Sequence, residues 1–146
     1  MKNIILLTHG EFSQGIAQSC RFILGDVPNL TALCITLDES VNQTKAMIEN
    51  AWKAFGNSAP TILITDIPGG STTQSAIGIL PEHPDFYLVS GLNLGLLLSL
   101  AMLELTDDRE ENLKSIRSVI EEAKDTLVLV NDMTAVDTLQ DEEGEL

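Results

Sequence analysis

Apolar residues recur along the chain in two alternating rhythms. Residues 3–8, "NIILLT", form a nearly continuous apolar run, the pattern of a strand buried on both faces. Residues 12–24 then place Phe12, Ile16, Cys20, Ile23 and Leu24 at helical spacing, and Gly25 closes the helix. The alternation repeats with a strand over 31–37 and a helix over 41–55, for which Ser40 is the N-cap and Gly56 the stop. A strand "TILIT" over 61–65, a short helix over 72–80 and a strand "DFYLVS" ending at Ser90 follow. A Leu-rich helix begins near Asn93, a charged amphipathic helix covers 109–126, and "LVLV" at 127–130 reads as a fifth strand.

Strands that are apolar throughout and alternate with helices predict an α/β fold. The expected form is a doubly wound, mostly parallel sheet of about five strands with helices on both faces. One domain over 1–131 accommodates all of these elements. Residues 132–146 form an acidic tail with Asp132, Asp137, Asp141, Glu142, Glu143 and Glu145 and no basic residue, and its end is expected to be disordered.

Composition narrows the function classes. The chain of 146 residues is 44% hydrophobic but only 4% aromatic, so aliphatic side chains must fill the core. A net charge of -14 argues against nucleic acid and against anionic membrane surfaces, both of which call for clustered Lys and Arg, and is compatible with a basic protein partner. Cys20 and Cys34 share no metal-like or redox-like spacing and read as reduced thiols on buried faces, which suits a cytoplasmic protein. The N-terminal "IILL" is too short for a signal peptide, and the apolar stretch over 91–103 falls short of the roughly 20 residues that a bilayer needs.

In an open parallel sheet, sites form beyond the carboxyl ends of the strands where the strand order reverses. "THGEFS", "DIPGGST" and "SGLN" all fall at that edge, which makes His9 and Asp66 neighbours by topology. A carboxylate there can accept from one imidazole nitrogen, fixing the tautomer and leaving the other nitrogen free as nucleophile or base. Gly10, Gly69 and Gly70 permit close backbone approach, and Ser71 and Thr72 open a helix whose free N–H groups favour an anion. Taken singly, each signal has a plain alternative: a structural histidine, an ordinary Gly-Gly-Ser turn, an Asx turn at Asp66. Together they describe a receptor for a phosphoryl group. None of the three segments holds a Lys or Arg, which leaves Arg21 and Lys45 as the cations that could still reach the site. No metal-ligand spacing, G-x-S-x-G elbow, P-loop or G-x-G-x-x-G is present, so neither a metal nor another cofactor is expected. His83, in "PEHPD", reads as a solvated loop histidine.

"THGEFSQGI", "TDIPGGST" and "VSGLNLGLLL" together resemble the mannose-family enzyme IIA of the bacterial sugar phosphotransferase system, through about residue 130. The resemblance implies a phosphocarrier: His9 accepts a phosphoryl group from HPr and passes it to enzyme IIB, with Asp66 orienting His9. It implies that Ser71, Thr72 and nearby backbone amides contact the phosphoryl group, with Gly10, Phe12, Ser13 and Gly70 completing the phosphoryl-binding residues. It further implies a cytoplasmic homodimer that exchanges its last strand, here residues 127–130, and an indirect link to the membrane subunits IIC and IID. The family loop often reads Gly-Gly-Ser-Pro-x-Asn, whereas this chain has Thr72, Thr73 and Gln74 after Ser71; Gly95 also stands where proline is frequent. With the chain ending after its acidic tail, a free-standing IIA subunit without a sugar pocket is expected. The alternatives are a related carrier feeding a dihydroxyacetone kinase and a non-catalytic interaction module.

Overall fold

The computed structural model describes residues 1–137. Its sheet contains β1 (Asn3–His9), β2 (Leu30–Ile35), β3 (Thr61–Thr65) and β4 (Phe86–Ser90), all parallel and ordered β2-β1-β3-β4. The helices are α1 (Phe12–Leu24), α2 (Val41–Phe55), α3 (Ser71–Ile77), α4 (Leu94–Met102), α5 (Arg109–Lys124) and α6 (Val130–Asp137), with a 3₁₀ turn at Leu80–Glu82.

Side-chain alternation along β1 builds both faces of the core. Ile4 and Leu6 pack with Ile16, Ala17 and Cys20 of α1, with Leu96, Leu97 and Leu100 of α4 and with Ile116 and Val119 of α5. Ile5 and Leu7 face the other way, onto Ile48 of α2, Ala76 of α3, and Ile79 and Phe86. Burying each such side chain stabilises the fold by about 1.5–3 kcal/mol relative to leaving it exposed. Because β1 and β3 are adjacent while the chain leaves β1 towards one edge and β3 towards the other, the carboxyl ends of these two strands flank the point where the order reverses.

Several boundaries differ from the sequence reading. The sheet has four strands among the described residues, because residues 127–129 join no ladder and Val130 opens α6. Leu127, Val128, Leu129 and Val130 are all exposed, so this apolar run gains neither sheet hydrogen bonds nor burial on the chain itself. β2 stops at Ile35, two residues before Leu37, because Glu39 turns the chain: its carboxylate accepts from the Thr36 N–H (2.6 Å) and hydroxyl (2.8 Å). On α1 the buried stripe is Ser13, Ile16, Ala17 and Cys20, leaving Phe12 and Ile23 in solvent. The helix expected over 72–80 is α3 followed by the 3₁₀ turn, and the last described residues of the acidic segment, through Asp137, lie in α6. The expected disorder of the tail's end falls outside the described residues. Cys20 is buried, whereas Cys34 is only half-buried and lies 3.4 Å from Ser13 Oγ; both are free thiols.

His83 overturns its reading as a solvated histidine. It is buried, stacked on Phe86 at 4.3 Å between centroids and edge-on to Trp52 at 4.7 Å, with Nε2 2.7 Å from Glu49 Oε2. A short loop therefore fastens α2 to the start of β4. No described helix is long and apolar enough to cross a membrane.

Ser40 caps α2 through a reciprocal pair of bonds, Gln43 N–H to Ser40 Oγ (3.1 Å) and Ser40 N–H to Gln43 Oε1 (2.7 Å), and Gly56 ends the helix in the left-handed region at φ 68°. Ser40→Ala is expected to lower unfolding stability by about 1 kcal/mol, read as a lower urea midpoint at unchanged slope. An unchanged midpoint would show that the cap is idle.

Candidate functional site

β1 ends on His9 and β3 ends one residue before Asp66, so both side chains stand at the same sheet edge. Asp66 Oδ2 accepts from the His9 backbone N–H at 2.9 Å and lies 2.8 Å from His9 Nδ1. An ionised carboxylate can only accept, so this contact assigns the proton to Nδ1 and leaves the Nε2 lone pair free. Ser71 Oγ is 3.3 Å from Nε2 and is then the donor in that pair. The His9 side chain is 43% exposed and that of Asp66 13%, so the ring can be approached from solvent while its partner is shielded.

The second oxygen of Asp66 is held as firmly. Oδ1 accepts from the Thr72 hydroxyl (3.0 Å) and the Ile67 N–H (3.0 Å). Burial pushes the Asp66 carboxyl up, but the His9 backbone N–H, the His9 ring, the Thr72 hydroxyl and the charge on His9 outweigh it and hold the pKa below the ordinary carboxylate value. Beneath these residues runs a chain of hydroxyls. Thr73 Oγ1 donates to Ile67 O at 2.7 Å and lies 2.7 Å from Thr65 Oγ1, which donates to Ser90 Oγ at 2.8 Å. The N–H groups of Gly91 and Leu92 both donate to Thr65 O, each at 3.0 Å. The segment "SGLN" thus braces the end of β3, and Asn93 caps α4 by accepting from the Leu96 N–H.

Not every residue expected to contact a phosphoryl group faces His9. Ser13 is buried, its hydroxyl donating to Leu33 O (2.9 Å) and its N–H to Thr8 Oγ1 (2.8 Å). Thr72 is buried and engaged with Asp66, and the Gly10 N–H donates to Ile35 O. Phe12 is exposed at the start of α1. Gly70 is where a side chain is excluded: a Cβ there would lie 2.9 Å from His9 Cε1 and 3.0 Å from Ile67 Cγ1. α3 has only seven residues, so its dipole adds little, and Ser71 Oγ is the group that faces Nε2. Arg21 donates to Leu30 O at the opposite edge of the sheet and Lys45 lies along Gly78; no described cation hydrogen-bonds to His9 or Asp66. A cavity of about 520 Å³ is lined by Ser90, Gly91, Asn93 and Leu96 on one side and Lys124, Thr126 and Leu127 on the other.

Sequence reasoning missed Thr65, Thr73 and Ser90 as supports, because a buried hydroxyl leaves no periodic signal. It also missed Ile67, whose signal was an apolar residue standing between Asp66 and Pro68 in a polar loop.

The sequence profile of the EIIA-man family, described as PTS system fructose IIA component, matches residues 3–117. A sorbose-specific EIIA component of the phosphotransferase system from Klebsiella pneumoniae is 27% identical over 121 residues, covering 81% of this chain and 88% of the relative. A K. pneumoniae crystal structure assigned to the phosphoenolpyruvate-dependent sugar phosphotransferase system permeases is 31% identical, with a TM-score of 0.73 and coverage of 90% and 93% of the two chains. The mannose/sorbose-specific IIA subunit from Enterococcus faecalis shares the fold, at 21% identity and a TM-score of 0.74, covering 100% of this chain and 99% of its own.

The Thr72 bond is directly testable. Thr72→Val removes the donor at nearly constant volume and is expected to raise the Asp66 pKa, whereas Thr72→Ser retains the lower value; a carboxyl-carbon NMR titration reads both. The depressed Asp66 pKa contributes stability that is complete above the unfolded carboxylate value, about 3.9, and is lost as pH falls through the folded one. In Thr72→Val that loss should be smaller and should end at a higher pH. An unchanged Asp66 titration in the valine variant would remove Thr72 from the network.

Proposed function

The chain belongs to the mannose-type EIIA family, whose members serve the sugar phosphotransferase system as phosphocarriers, and on that premise we propose that His9 is the residue that carries the phosphoryl group. In this reading phospho-HPr is the donor and the cognate enzyme IIB the acceptor, in the cytoplasm, with the membrane subunits IIC and IID reached only through IIB. The observation that carries it is the pairing of His9 Nδ1 with Asp66 Oδ2 at 2.8 Å, which leaves Nε2 as an accessible nucleophile.

The His9 Nε2 lone pair attacks the phosphorus of the donor phosphohistidine in line. The Nε2–P bond forms as the donor N–P bond breaks, and the donor imidazole leaves with the electron pair of that bond. His9 keeps its Nδ1 proton and becomes a phosphorylated imidazolium, whose positive charge lies against the Asp66 carboxylate. The Ser71 hydroxyl, aimed at Nε2 beforehand, donates to a phosphoryl oxygen afterwards. Transfer to IIB runs the same displacement in reverse. With no cation fixed beside His9 among the described residues, the phosphoryl group is held by neutral donors and remains easy to pass on.

The exposed run Leu127–Leu129 with Val130 is, on the same reading, the segment offered to a second copy in a homodimer.

Mixing the protein with phosphoenolpyruvate, enzyme I and HPr should add one acid-labile phosphoryl group to the intact mass, and none to His9→Ala. No gain, or a gain that persists in His9→Ala, overturns the assignment. Asp66→Ala is expected to slow acceptance by about 10²- to 10³-fold, the size of losing one preorganised electrostatic partner; near-normal rapid-quench rates would take Asp66 out of the mechanism.

A further inference from the structure

The turn between Asp66 and α3 has little of its own to hold it in place. Ile67, Pro68 and Gly69 are exposed, and two successive glycines leave the backbone its greatest freedom. Gly70 cannot be exchanged for a stiffer residue, because a Cβ there would lie 2.9 Å from His9 Cε1 and 3.0 Å from Ile67 Cγ1. As the N-cap of α3 it also has no side chain with which to fix the helix start. The turn's internal bond, from the Gly70 N–H to Ile67 O, is long at 3.3 Å. The shorter restraint comes from within the helix, where the Thr73 hydroxyl donates to the same carbonyl at 2.7 Å.

Thr73 is placed to make that restraint firm. It is 6% exposed, and its Oγ1 lies 2.7 Å from Thr65 Oγ1 and 3.4 Å from Ser90 Oγ, the last residues of β3 and β4. The hydroxyl is thereby fixed against two strand ends, and through it the turn is tied to the sheet. Ile67 is held on both sides, its N–H donating to Asp66 Oδ1 at 3.0 Å and its carbonyl accepting from Thr73. The Ile67 side chain and the His9 ring both close on Gly70. A displaced turn would therefore shift the Asp66 carboxylate and the space beside the imidazole together. The side-chain hydrogen bonds of Thr73 go to Ile67, Thr65 and Ser90, whereas Thr72 bonds to Asp66 directly.

Building on the phosphocarrier reading, we propose that Thr73 is a positioning residue for phosphoryl transfer. Its hydroxyl, backed by Thr65 and Ser90, pins the Ile67–Gly70 turn and so keeps the His9 ring aligned for in-line attack. Thr73 touches neither the phosphoryl group nor the reacting nitrogen, so its effect falls on the rate of transfer within the complex and not on binding of the donor.

The test uses the full chain with phospho-HPr as donor. Thr73→Val keeps the shape of the side chain without its hydroxyl. Ile67 O retains the Gly70 N–H and Thr65 retains Ser90, so no buried group is orphaned and the variant should fold. Its kcat for acceptance is expected to fall about threefold to tenfold, the worth of one neutral hydrogen bond, with KM unchanged. Thr73→Ser, which restores the donor, should recover most of the rate. In the unphosphorylated protein, ring-nitrogen NMR should show the His9 proton on Nδ1 in the wild type and Thr73→Ser, and shared with Nε2 in Thr73→Val. Asp108→Ala is the control for stability alone: it removes the cap of α5, whose first residue Arg109 bonds to the Pro84 carbonyl ahead of β4, at the opposite edge of the sheet. It should leave kcat and the His9 spectrum as in the wild type. If Thr73→Val accepts at the wild-type kcat, or if Asp108→Ala slows acceptance equally, the positioning role is overturned and the phosphocarrier reading stands. A raised KM at unchanged kcat would also overturn it, by placing Thr73 in donor binding. If the wild type accepts nothing from phospho-HPr, the phosphocarrier reading falls and the role of Thr73 in transfer falls with it.

Discussion

One carboxylate oxygen ties the site together. Asp66 Oδ2 accepts from the main-chain N–H of His9 and from its ring, so a single atom fixes both where the strand ends and how the imidazole is turned. The parallel ladder between β1 and β3 reaches only to Leu7 opposite Thr65; beyond it, the carboxylate takes the place of the next strand bond. Everything nearby preserves that oxygen's position. Thr72 and the Ile67 N–H hold the other oxygen, Gly91 and Leu92 hold the carbonyl just before it, and Gly70 leaves the ring its space.

Much of this was legible from residue order. The bounds of α1, α2 and β3 follow from helical periodicity, the Ser40–Gln43 box, the Gly56 stop and an uninterrupted apolar run. The meeting of His9 with Asp66 follows from topology, because a sheet that reverses between β1 and β3 leaves their ends nowhere else to go. What was not legible shares a cause. The run "LVLV" satisfies the hydrophobic pattern of a strand, but a strand also needs a neighbour, and a pattern within one segment carries no information about partners. Leu37 reads as the last apolar residue of β2 until Glu39 bends the chain back onto Thr36. His83 looks solvated in a loop of Pro, Glu and Asp, yet Trp52, Phe86 and Glu49 enclose it from distant positions.

The departures from the family loop have a physical sense. Where proline would pre-set the helix start, Thr72 provides a hydroxyl that reaches Asp66. The supports below the site, Thr65, Thr73 and Ser90, are likewise neutral. On the proposed phosphocarrier reading, supports that are uncharged keep their geometry when a phosphoryl charge arrives or leaves, so little reorganisation accompanies either event.

The cluster around His83 has a practical consequence of its own. Trp52 is the single tryptophan in the chain, and it sits on α2 against Phe86, the first residue of β4, at the opposite edge of the sheet from His9. Its indole Nε1 is buried without a hydrogen-bond partner among the described residues, and its ring lies edge-on to His83. Intrinsic fluorescence therefore watches the packing of one helix on one face of the sheet. Its emission should follow unfolding of that contact, far from the sheet edge that holds His9. The molecule carries an optical gauge of its own integrity that is physically separate from its chemistry.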